Sequence, residues 1–321
     1  MLPNILDLLC CPAHGAGLRN SNGRLVCEAG HEIPIEQGVP LFAQKPRREP
    51  RPLNMTPLPP RRNPGLVDEF VDDWIVNTNG NLYWRTRGRL SRYPIPRWPT
   101  PYLKDAPGAA GARQCLVDLG CSWGRWSIAA ARAGFSVCGV DVHLDALWAA
   151  ARVTGELGVS ADFACCDADI LPFKPGSIDV VFSYSVLQHL DKNRVAQVLS
   201  EIARIVRQGG SCLVQLPNKF GLASLWRQAR RGFHEPSNDT FEMRYWTRPA
   251  IVRAFCRAGL GNIRFRAEGF LLQNTQREDM DLLSGAGAAA VLTSCALRGV
   301  ANAVPPLSYV ADSLWVEATK E

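Results

Sequence analysis

Long hydrophobic runs are missing from this 321-residue chain. No stretch of about 18 consecutive apolar residues occurs, so we predict no membrane-spanning helix. The amino terminus, MLPNILDLLCCP, lacks both a basic region and a long apolar segment, and we therefore expect no secretory signal. With 46% apolar and 21% charged residues, the chain can bury a sizeable core and is not expected to be disordered as a whole.

The eleven cysteines lack the framework spacing of a disulfide-rich secreted protein. Six of them lie in apolar strand-like segments or in the loops beside these, which is typical of buried, reduced thiols: Cys115, Cys121, Cys138, Cys165, Cys166 and Cys212. We therefore expect a cytoplasmic protein.

Excess charge is scarce outside one segment. Residues 45–64, KPRREPRPLNMTPLPPRRNP, hold six basic residues and one acid, a net of +5 in a chain whose net charge is +6. Seven prolines in the same segment favour a partly extended linker rather than a folded unit. The segment is either a solvated spacer or a basic tether that touches phosphate or an acidic partner.

Residues 1–44 carry two short pairs of metal-ligand type, C-x2-H and C-x3-H, separated by twelve residues. Two such pairs on two turns can supply a tetrahedral zinc site, and a unit this small needs such a cross-link to fold. We predict one structural zinc ion on four residues, with Cys10 as a competing thiol: Cys11, His14, Cys27 and His31.

The sequence of this unit, including PIEQGVPLF, resembles the zinc-ribbon family of small activator subunits of tRNA methyltransferases over residues 2–43. Ile33 stands before Pro34, where that family tends to carry tyrosine or phenylalanine, and histidines replace cysteines found in many of its members. The resemblance implies a zinc ribbon that docks a partner, and the alternative is a ribbon without metal.

We predict that residues 65–108 form an extension, called the cover below, that lies over the following domain. GLVDEFVDDWIVNTNGNLY places apolar residues on one helical face, and the prolines of RYPIPRWPTPYL require an extended chain. Tyr83 is a candidate substrate contact, with ordinary core packing as the alternative.

Residues 109–321 alternate strands with helices of ten to fifteen residues, which predicts a doubly wound parallel sheet. The predicted strands are Cys115–Leu119, Phe135–Val140, Ser160–Cys166, Ile178–Tyr184 and Ser211–Leu216, with a late antiparallel strand at Ser313–Ala318. The predicted helices are Arg125–Ala133, Leu144–Gly155, Asp191–Arg207, Pro249–Ala258 and Ala288–Val300. Residues 270–310 are expected to be an insertion that covers the pocket.

The loop after the first of these strands, in VDLGCSWGRW (117–126), lacks the middle glycine of a dinucleotide-binding loop, because Ser122 occupies that place. The spacing of Asp118, Gly120 and Gly124 is instead similar to motif I of class I S-adenosylmethionine-dependent methyltransferases. Their cofactor has no pyrophosphate, so a small serine is tolerated. The loop therefore argues against NAD.

Two further acids, Asp141 and Asp167, end the second and third predicted strands. A carboxylate at Asp141 can accept hydrogen bonds from both ribose hydroxyls, and in the resembled family the acid at Asp167 accepts the adenine amino group. DILPFKPGSIDVVFSYSVLQHL and IVRQGGSCLVQLPN also resemble small-molecule methyltransferases, over roughly residues 113–220. The resemblance implies S-adenosylmethionine as cofactor, bound by Asp118, Gly120, Cys121, Ser122, Gly124, Asp141, Val142, Asp167, Ala168, Ser183 and Tyr184.

No N/D-P-P-Y motif follows the fourth strand, so an exocyclic adenine amine is not favoured as methyl acceptor. His189 is a candidate base for an alcohol or phenol, or a histidine that packs against or caps the next helix. Three further residues are equally expected to line the substrate site or to pack in the core: Arg244, Tyr245 and Trp246.

We thus predict an α/β chain with a doubly wound, Rossmann-like sheet of seven strands, of methyltransferase type, and a small amino-terminal zinc ribbon. The predicted function is methyl transfer to the O, N or C atom of a small or lipid-like acceptor, because mixed charge surrounds the predicted pocket and apolar residues cover it. The alternatives are an rRNA or tRNA methyltransferase that docks RNA through the ribbon, a non-catalytic adaptor of the same fold, and more remotely a NAD-dependent enzyme.

Overall fold

The computed structural model describes residues 3–48, 93–99, 113–237, 242–272, 277 and 285–321. Its amino-terminal unit has one short helix and a four-stranded antiparallel sheet in the order β1-β2-β3-β4. Asn22 and Gly23 join the first two strands with φ of 49° and 77°, as the primed two-residue hairpin turns require. The elements are α1 (Pro3–Leu6), β1 (Leu18–Ser21), β2 (Arg24–Cys27), β3 (Glu32–Glu36) and β4 (Val39–Pro40).

The larger unit is a seven-stranded mixed sheet in the order β10-β11-β9-β8-β5-β6-β7. Strands β5 to β9 run parallel, and β11 lies antiparallel between β9 and β10. Its strands are β5 (Cys115–Leu119), β6 (Ser136–Asp141), β7 (Asp162–Cys165), β8 (Ile178–Ser183), β9 (Val206–Pro217), β10 (Leu260–Gly269) and β11 (Ser313–Lys320). The predicted doubly wound sheet of seven strands is confirmed. Because the strand order reverses between β5 and β8, their carboxyl ends mark the expected ligand crevice.

Helices cover both faces of this sheet. Both faces of β5 are apolar, because its successive residues Leu116 and Val117 belong to different hydrophobic clusters on opposite faces. Each face therefore needs helices to cover it. The helices are α2 (Arg125–Arg132), α3 (Leu144–Glu156), α4 (Lys192–Ile205), α5 (Leu222–Arg230), α6 (Arg248–Arg257) and α7 (Ala286–Ala303), with short 3-10 helices at Leu187–His189 and Pro305–Val310. Among the described residues, no helix combines the length and apolar content needed to cross a membrane.

Among the strands and α-helices of the larger unit, β10 and α5 have no counterpart in the sequence-based prediction. Strand β10 forms the edge of the sheet, and α5 follows β9 after a short turn. Strand β9 also begins five residues before the predicted Ser211, at Val206. The core and the central strands were therefore easier to predict than the edge of the sheet.

Only residues 93–99 of the predicted cover (65–108) are described. Within them, Trp98 is buried against Trp126 and Phe182, with a ring-centroid distance of 4.8 Å to the latter. The candidate substrate contact Tyr83 lies outside the described residues.

The amino-terminal unit packs into the same hydrophobic cluster as the large sheet. Leu9 lies in that cluster and pairs with Phe173 of the loop after β7. Both side chains are essentially inaccessible to solvent. The other members from this unit are Ile5, Leu25 and Ile33. The two units thus share one apolar interface.

Candidate functional site

The loop after β5 is held by backbone hydrogen bonds to the neighbouring strand. The N–H groups of Gly120 and Cys121 both donate to the carbonyl of Val140, at 2.7 and 3.0 Å. Gly120 has φ of +75°, and a β-carbon there would overlap the side chain of Val186. Gly124 also has positive φ, +81°, and precedes α2. The two predicted motif glycines are therefore required by the backbone conformation of this loop.

Asp118 of β5 stabilises this loop through a contact with α2. Its side chain is buried and accepts a hydrogen bond of 2.6 Å from the Ser127 hydroxyl. Burial raises the pKa of Asp118 to about 7, although Ser127 and the nearby Arg125 oppose the shift. The carboxyl group thus sits in the core, joining β5 to α2.

Asp141, at the end of β6, is the carboxylate that lies against the loop. One of its oxygens accepts the N–H of Ser122 at 3.0 Å. The other accepts the N–H of His143 at 2.9 Å and lies 3.1 Å from His143 Nδ1. A carboxylate offers about four acceptor positions, so Asp141 retains capacity for a further hydroxyl.

The Ser122 hydroxyl shows whether the loop after β5 fits a polar cofactor. The φ of this residue is +50°, and its Oγ is buried with no hydrogen-bond partner among the described residues. Such an orphaned hydroxyl costs free energy unless a ligand or water satisfies it. Together with the Asp141 carboxylate, it fits a ligand that carries hydroxyl and amino groups, such as the nucleoside part of S-adenosylmethionine.

Asp167 follows β7, next to the end of β6. The N–H of Cys166 donates to the Asp141 carbonyl at 3.1 Å, which holds the two acids on adjacent strands. Burial, and then the nearby Asp169, raises the pKa of Asp167, while Arg194 and Arg47 lower it. Asp167 is half-buried and is followed by Ala168, which packs against the core.

The residues that end β8 make contacts within the protein. The Ser183 hydroxyl donates to the carbonyl of Leu119 at 3.1 Å. Tyr184 is buried and its hydroxyl donates to Glu268 at 2.8 Å. Burial, and then Glu268, raises the pKa of Tyr184. The Ser183 side chain thus joins the end of β8 to β5, and the Tyr184 side chain joins it to β10.

His189 lies in the 3-10 helix that follows β8, so it sits at the same edge of the sheet as the loop. Its Nε2 is 3.1 Å from the Gln188 side-chain amide. The buried guanidinium of Arg244 donates to the backbone carbonyls of His189 (3.0 Å) and Ser237 (2.6 Å). Arg244 therefore anchors the backbone around His189.

The other two predicted substrate contacts take part in packing. Tyr245 lies beneath the guanidinium of Arg231, 5.8 Å from ring centroid to carbon. Trp246 is buried, and its backbone pairs with Asn218 and bonds to Pro217 at the end of β9.

The predicted metal ligands of the amino-terminal unit lie together. Cys11 Sγ is 3.4 Å from His14 Nδ1 and 3.1 Å from His31 Nδ1, and Cys27 Sγ is 3.5 Å from His14 Nδ1. A tetrahedral zinc ion with the usual bond lengths separates its ligand atoms by roughly 3.4–3.8 Å. The ligand atoms of Cys11, His14 and His31 lie within 4.8 Å of one another. Three of the four predicted ligands therefore form a possible metal site, and both Cys27 and Cys10 lie outside this group of three.

Hydrogen bonding also favours a thiolate in this cluster. Burial opposes ionisation of Cys27, but hydrogen bonds from the backbone N–H groups of His31 and Ala29 and from the Cys11 thiol give it a lowered pKa. In contrast, burial raises the pKa of Cys10, whose N–H instead bonds to the Pro172 carbonyl.

Sequence reasoning missed the segment that joins the amino-terminal unit to the site. Residues 41–48, called the strap below, run parallel to β7 and to the loop after β6. The N–H of Ala43 donates to Cys165 at 3.0 Å, and that of Arg47 donates to Val142 at 2.8 Å. The strap thus borders the Asp141 and Asp167 side of the site, although no side-chain pattern in it signals this position.

Comparison with known proteins agrees with this geometry. Residues 116–210 match the family model described as a methyltransferase domain. The chain is 28% identical over 153 residues to a biotin biosynthesis bifunctional protein of Cellvibrio japonicus, covering 48% of this chain and 29% of that protein. It is 36% identical over 110 residues to a ubiquinone biosynthesis O-methyltransferase of Ralstonia nicotianae, covering 34% and 44%. The chain therefore spans less than half the length of these two relatives.

A ubiquinone biosynthesis O-methyltransferase of Pseudomonas aeruginosa is 29% identical over 163 residues, which covers half of this chain and 68% of that protein. Among solved structures, magnesium protoporphyrin IX methyltransferase of Synechocystis, with bound S-adenosylhomocysteine, aligns over 65% of this chain and 75% of that chain at 17% identity and a TM-score of 0.44. The fold assignment rests on the strand order given above.

Proposed function

We propose that this protein transfers the methyl group of S-adenosylmethionine to a small or lipid-like acceptor. The observation that carries the proposal is the pairing of Asp141 with the loop after β5. The Asp141 carboxylate and the orphaned Ser122 hydroxyl thereby lie together at the carboxyl ends of β5 and β6. The family match over residues 116–210 supports the same reading.

In this proposal Asp141 accepts the ribose hydroxyls and Asp167 accepts the adenine amino group. Gly120 and Gly124 let the loop approach the donor, with Val142 and Ala168 beside the two acids. When bound, S-adenosylmethionine supplies an activated methyl group, so the protein's task is to align the acceptor within about 3 Å in a dry site. NAD is disfavoured because Ser122 stands where a pyrophosphate-binding loop needs glycine.

His189 is the proposed base for the acceptor. It lies on the short helix after β8, and Arg244 holds its backbone. Two of the relatives are named O-methyltransferases, which favours an oxygen acceptor such as a phenol or alcohol. A histidine can remove the proton of such a hydroxyl as the bond to the methyl group forms.

We further propose that the amino-terminal unit, residues 1–44, is a ribbon holding one zinc ion on Cys11, His14, Cys27 and His31. The close approach of these side chains supports a metal. None of the eleven cysteines forms a disulfide, in keeping with a reducing compartment, and we propose the cytoplasm.

The test is to incubate a cell lysate with the protein and methyl-labelled S-adenosylmethionine and to identify the molecule that gains label. Label in a solvent-extractable compound, with little effect of salt, is the expected result. Label in nuclease-sensitive material, with binding that collapses as salt rises, would identify an RNA methyltransferase instead. Calorimetric binding of the donor with no labelled product in any fraction would favour a non-catalytic adaptor.

A further inference from the structure

Helix α5 turns its polar side chains toward the protein. Ser224 is buried, and its N–H donates to Asp312 at 2.8 Å. Gln228 is also buried, and its side-chain amide donates to the carbonyls of Lys219 (2.8 Å) and Ser224 (3.1 Å). These hydrogen bonds fix the rotation of α5 about its axis, so the polar face is the inner one.

The outer face of α5 is apolar, the reverse of an ordinary surface helix. Leu222 and Trp226 are 54% and 60% exposed. The exposed positions follow the i, i+3, i+4, i+7 spacing of one helical face: Leu222, Leu225, Trp226 and Ala229. Phe220 and Phe233, just before and after the helix, are also exposed. Such a row of neighbouring exposed apolar side chains is typical of an interaction site.

Basic residues accompany this apolar face. Residues 219–234 contain four basic residues and no acid, namely Lys219, Arg227, Arg230 and Arg231. Arg231 forms an ion pair with Glu242, which offsets part of the charge. The guanidinium of Arg230 lies over the Trp226 ring at 4.9 Å, so the positive charge stands beside the most exposed aromatic side chain of the helix.

A neighbouring element extends the same surface. The Asn218 side-chain amide donates to the Tyr309 carbonyl at 2.7 Å, which ties the turn before α5 to the 3-10 helix Pro305–Val310. Tyr309 and Leu307 of that helix are exposed. Exposed apolar and aromatic side chains are therefore found on two elements that this hydrogen bond joins.

We propose that the outer face of α5 lies on an anionic lipid surface. Exposed leucine and tryptophan side chains suit the boundary between headgroups and acyl chains, and the flanking arginine and lysine side chains suit anionic headgroups. A second copy of this chain fits less well, because self-association would bring two basic surfaces together. The basic residues beside the outer face of α5 therefore favour an anionic binding partner.

The position of α5 relates this surface to the candidate active site. Strands β5, β8 and β9 are parallel, so their carboxyl ends lie at one edge of the sheet. Helix α5 begins five residues after β9 ends at Pro217. A lipid surface bound there would lie at the edge where the proposed acceptor enters. Lipid binding is nevertheless independent of methyl transfer, so each proposal can fail alone.

The test is flotation of the full chain with phosphatidylcholine vesicles that do or do not contain phosphatidylglycerol. We expect flotation with the anionic vesicles only, weakening as salt rises. The double variant Leu225→Glu/Trp226→Glu should bind at least about tenfold more weakly, since it removes apolar area from the contact. Arg230→Gln should bind about fivefold more weakly, the usual effect of one basic residue at an anionic surface.

Leu292→Glu is the matched control, because Leu292 is an exposed leucine on α7 and should leave flotation unchanged. Circular dichroism and calorimetry with S-adenosylhomocysteine check that every variant is folded and that its donor site is intact. Absence of flotation with anionic vesicles, or equal flotation of wild type and the double variant, would overturn the proposal. Concentration-dependent dimerisation that the double variant abolishes, without vesicle binding, would assign the surface to a second copy. Vesicle binding without any binding of S-adenosylhomocysteine would count against the methyltransferase proposal alone.

Discussion

The buried carboxyl of Asp118 predicts an unusual dependence of stability on pH. Its pKa is raised from its ordinary value of 3.8 to about 7, chiefly by burial. Between these values the folded protein binds a proton that the unfolded chain has lost, so the free energy of unfolding falls as pH rises from about 4 to about 7. At about 1.4 kcal/mol for each pKa unit, the full contribution is of order 4 kcal/mol.

Asp118→Asn isolates this effect, because an asparagine oxygen can still accept the Ser127 hydroxyl and carries no charge. The variant and the wild type should have similar stability near pH 4. Above about pH 7 the variant should be the more stable by up to about 4 kcal/mol, less whatever the buried Arg125 loses with its neighbouring anion. Urea unfolding of both proteins across this pH range measures the difference. A difference that does not change with pH would refute the reasoning.

Four further outcomes are expected. Asp141→Ala should weaken the binding of S-adenosylmethionine by about 1–3 kcal/mol in calorimetry, because buried polar groups lose their partner, and unchanged affinity would remove it from the site. His189→Gln should lower kcat by about 10²–10⁴-fold and leave the affinity for S-adenosylhomocysteine unchanged, whereas an unaltered kcat would leave it a packing residue. Gly120→Ala should lower the free energy of unfolding by about 2–4 kcal/mol in urea titrations, since it forces a β-carbon into Val186 at positive φ, and wild-type stability would contradict this account. Elemental analysis should find one zinc ion per chain, lost in Cys11→Ser, and metal-free protein purified without chelator would exclude the site.

The central strands could be predicted from sequence because they are buried on both faces and read as short apolar runs. Strand β5 was predicted with its observed bounds, Cys115–Leu119, and most of the helices between strands to within one or two residues. Strand β10 was missed although its sequence alternates arginine with apolar residues, as in Arg264-Phe265-Arg266, which is the period-two signal of a strand. That pattern reflects an edge strand with one exposed face.

The strand-end positions of the candidate acids could also be predicted, because motif spacing and strand ends are local properties of the sequence. Asp141 and Asp167 do follow adjacent strands. The partners of each side chain could not be predicted. Tyr184 bonds to Glu268, 84 residues away along the chain, and only the folded sheet brings β8 and β10 to the same buried space.

The position of the strap could not be predicted from the sequence. The strap links the amino-terminal unit to the large sheet. Its contacts with β7 and with the loop after β6 are backbone hydrogen bonds, which any residue except proline can donate, so no side-chain pattern encodes them. Yet these bonds tie the amino-terminal unit to Val142, the neighbour of Asp141. Arg47 of the strap also lowers the pKa of Asp167. The strap, which continues from the amino-terminal unit, therefore borders the strand ends that carry Asp141 and Asp167.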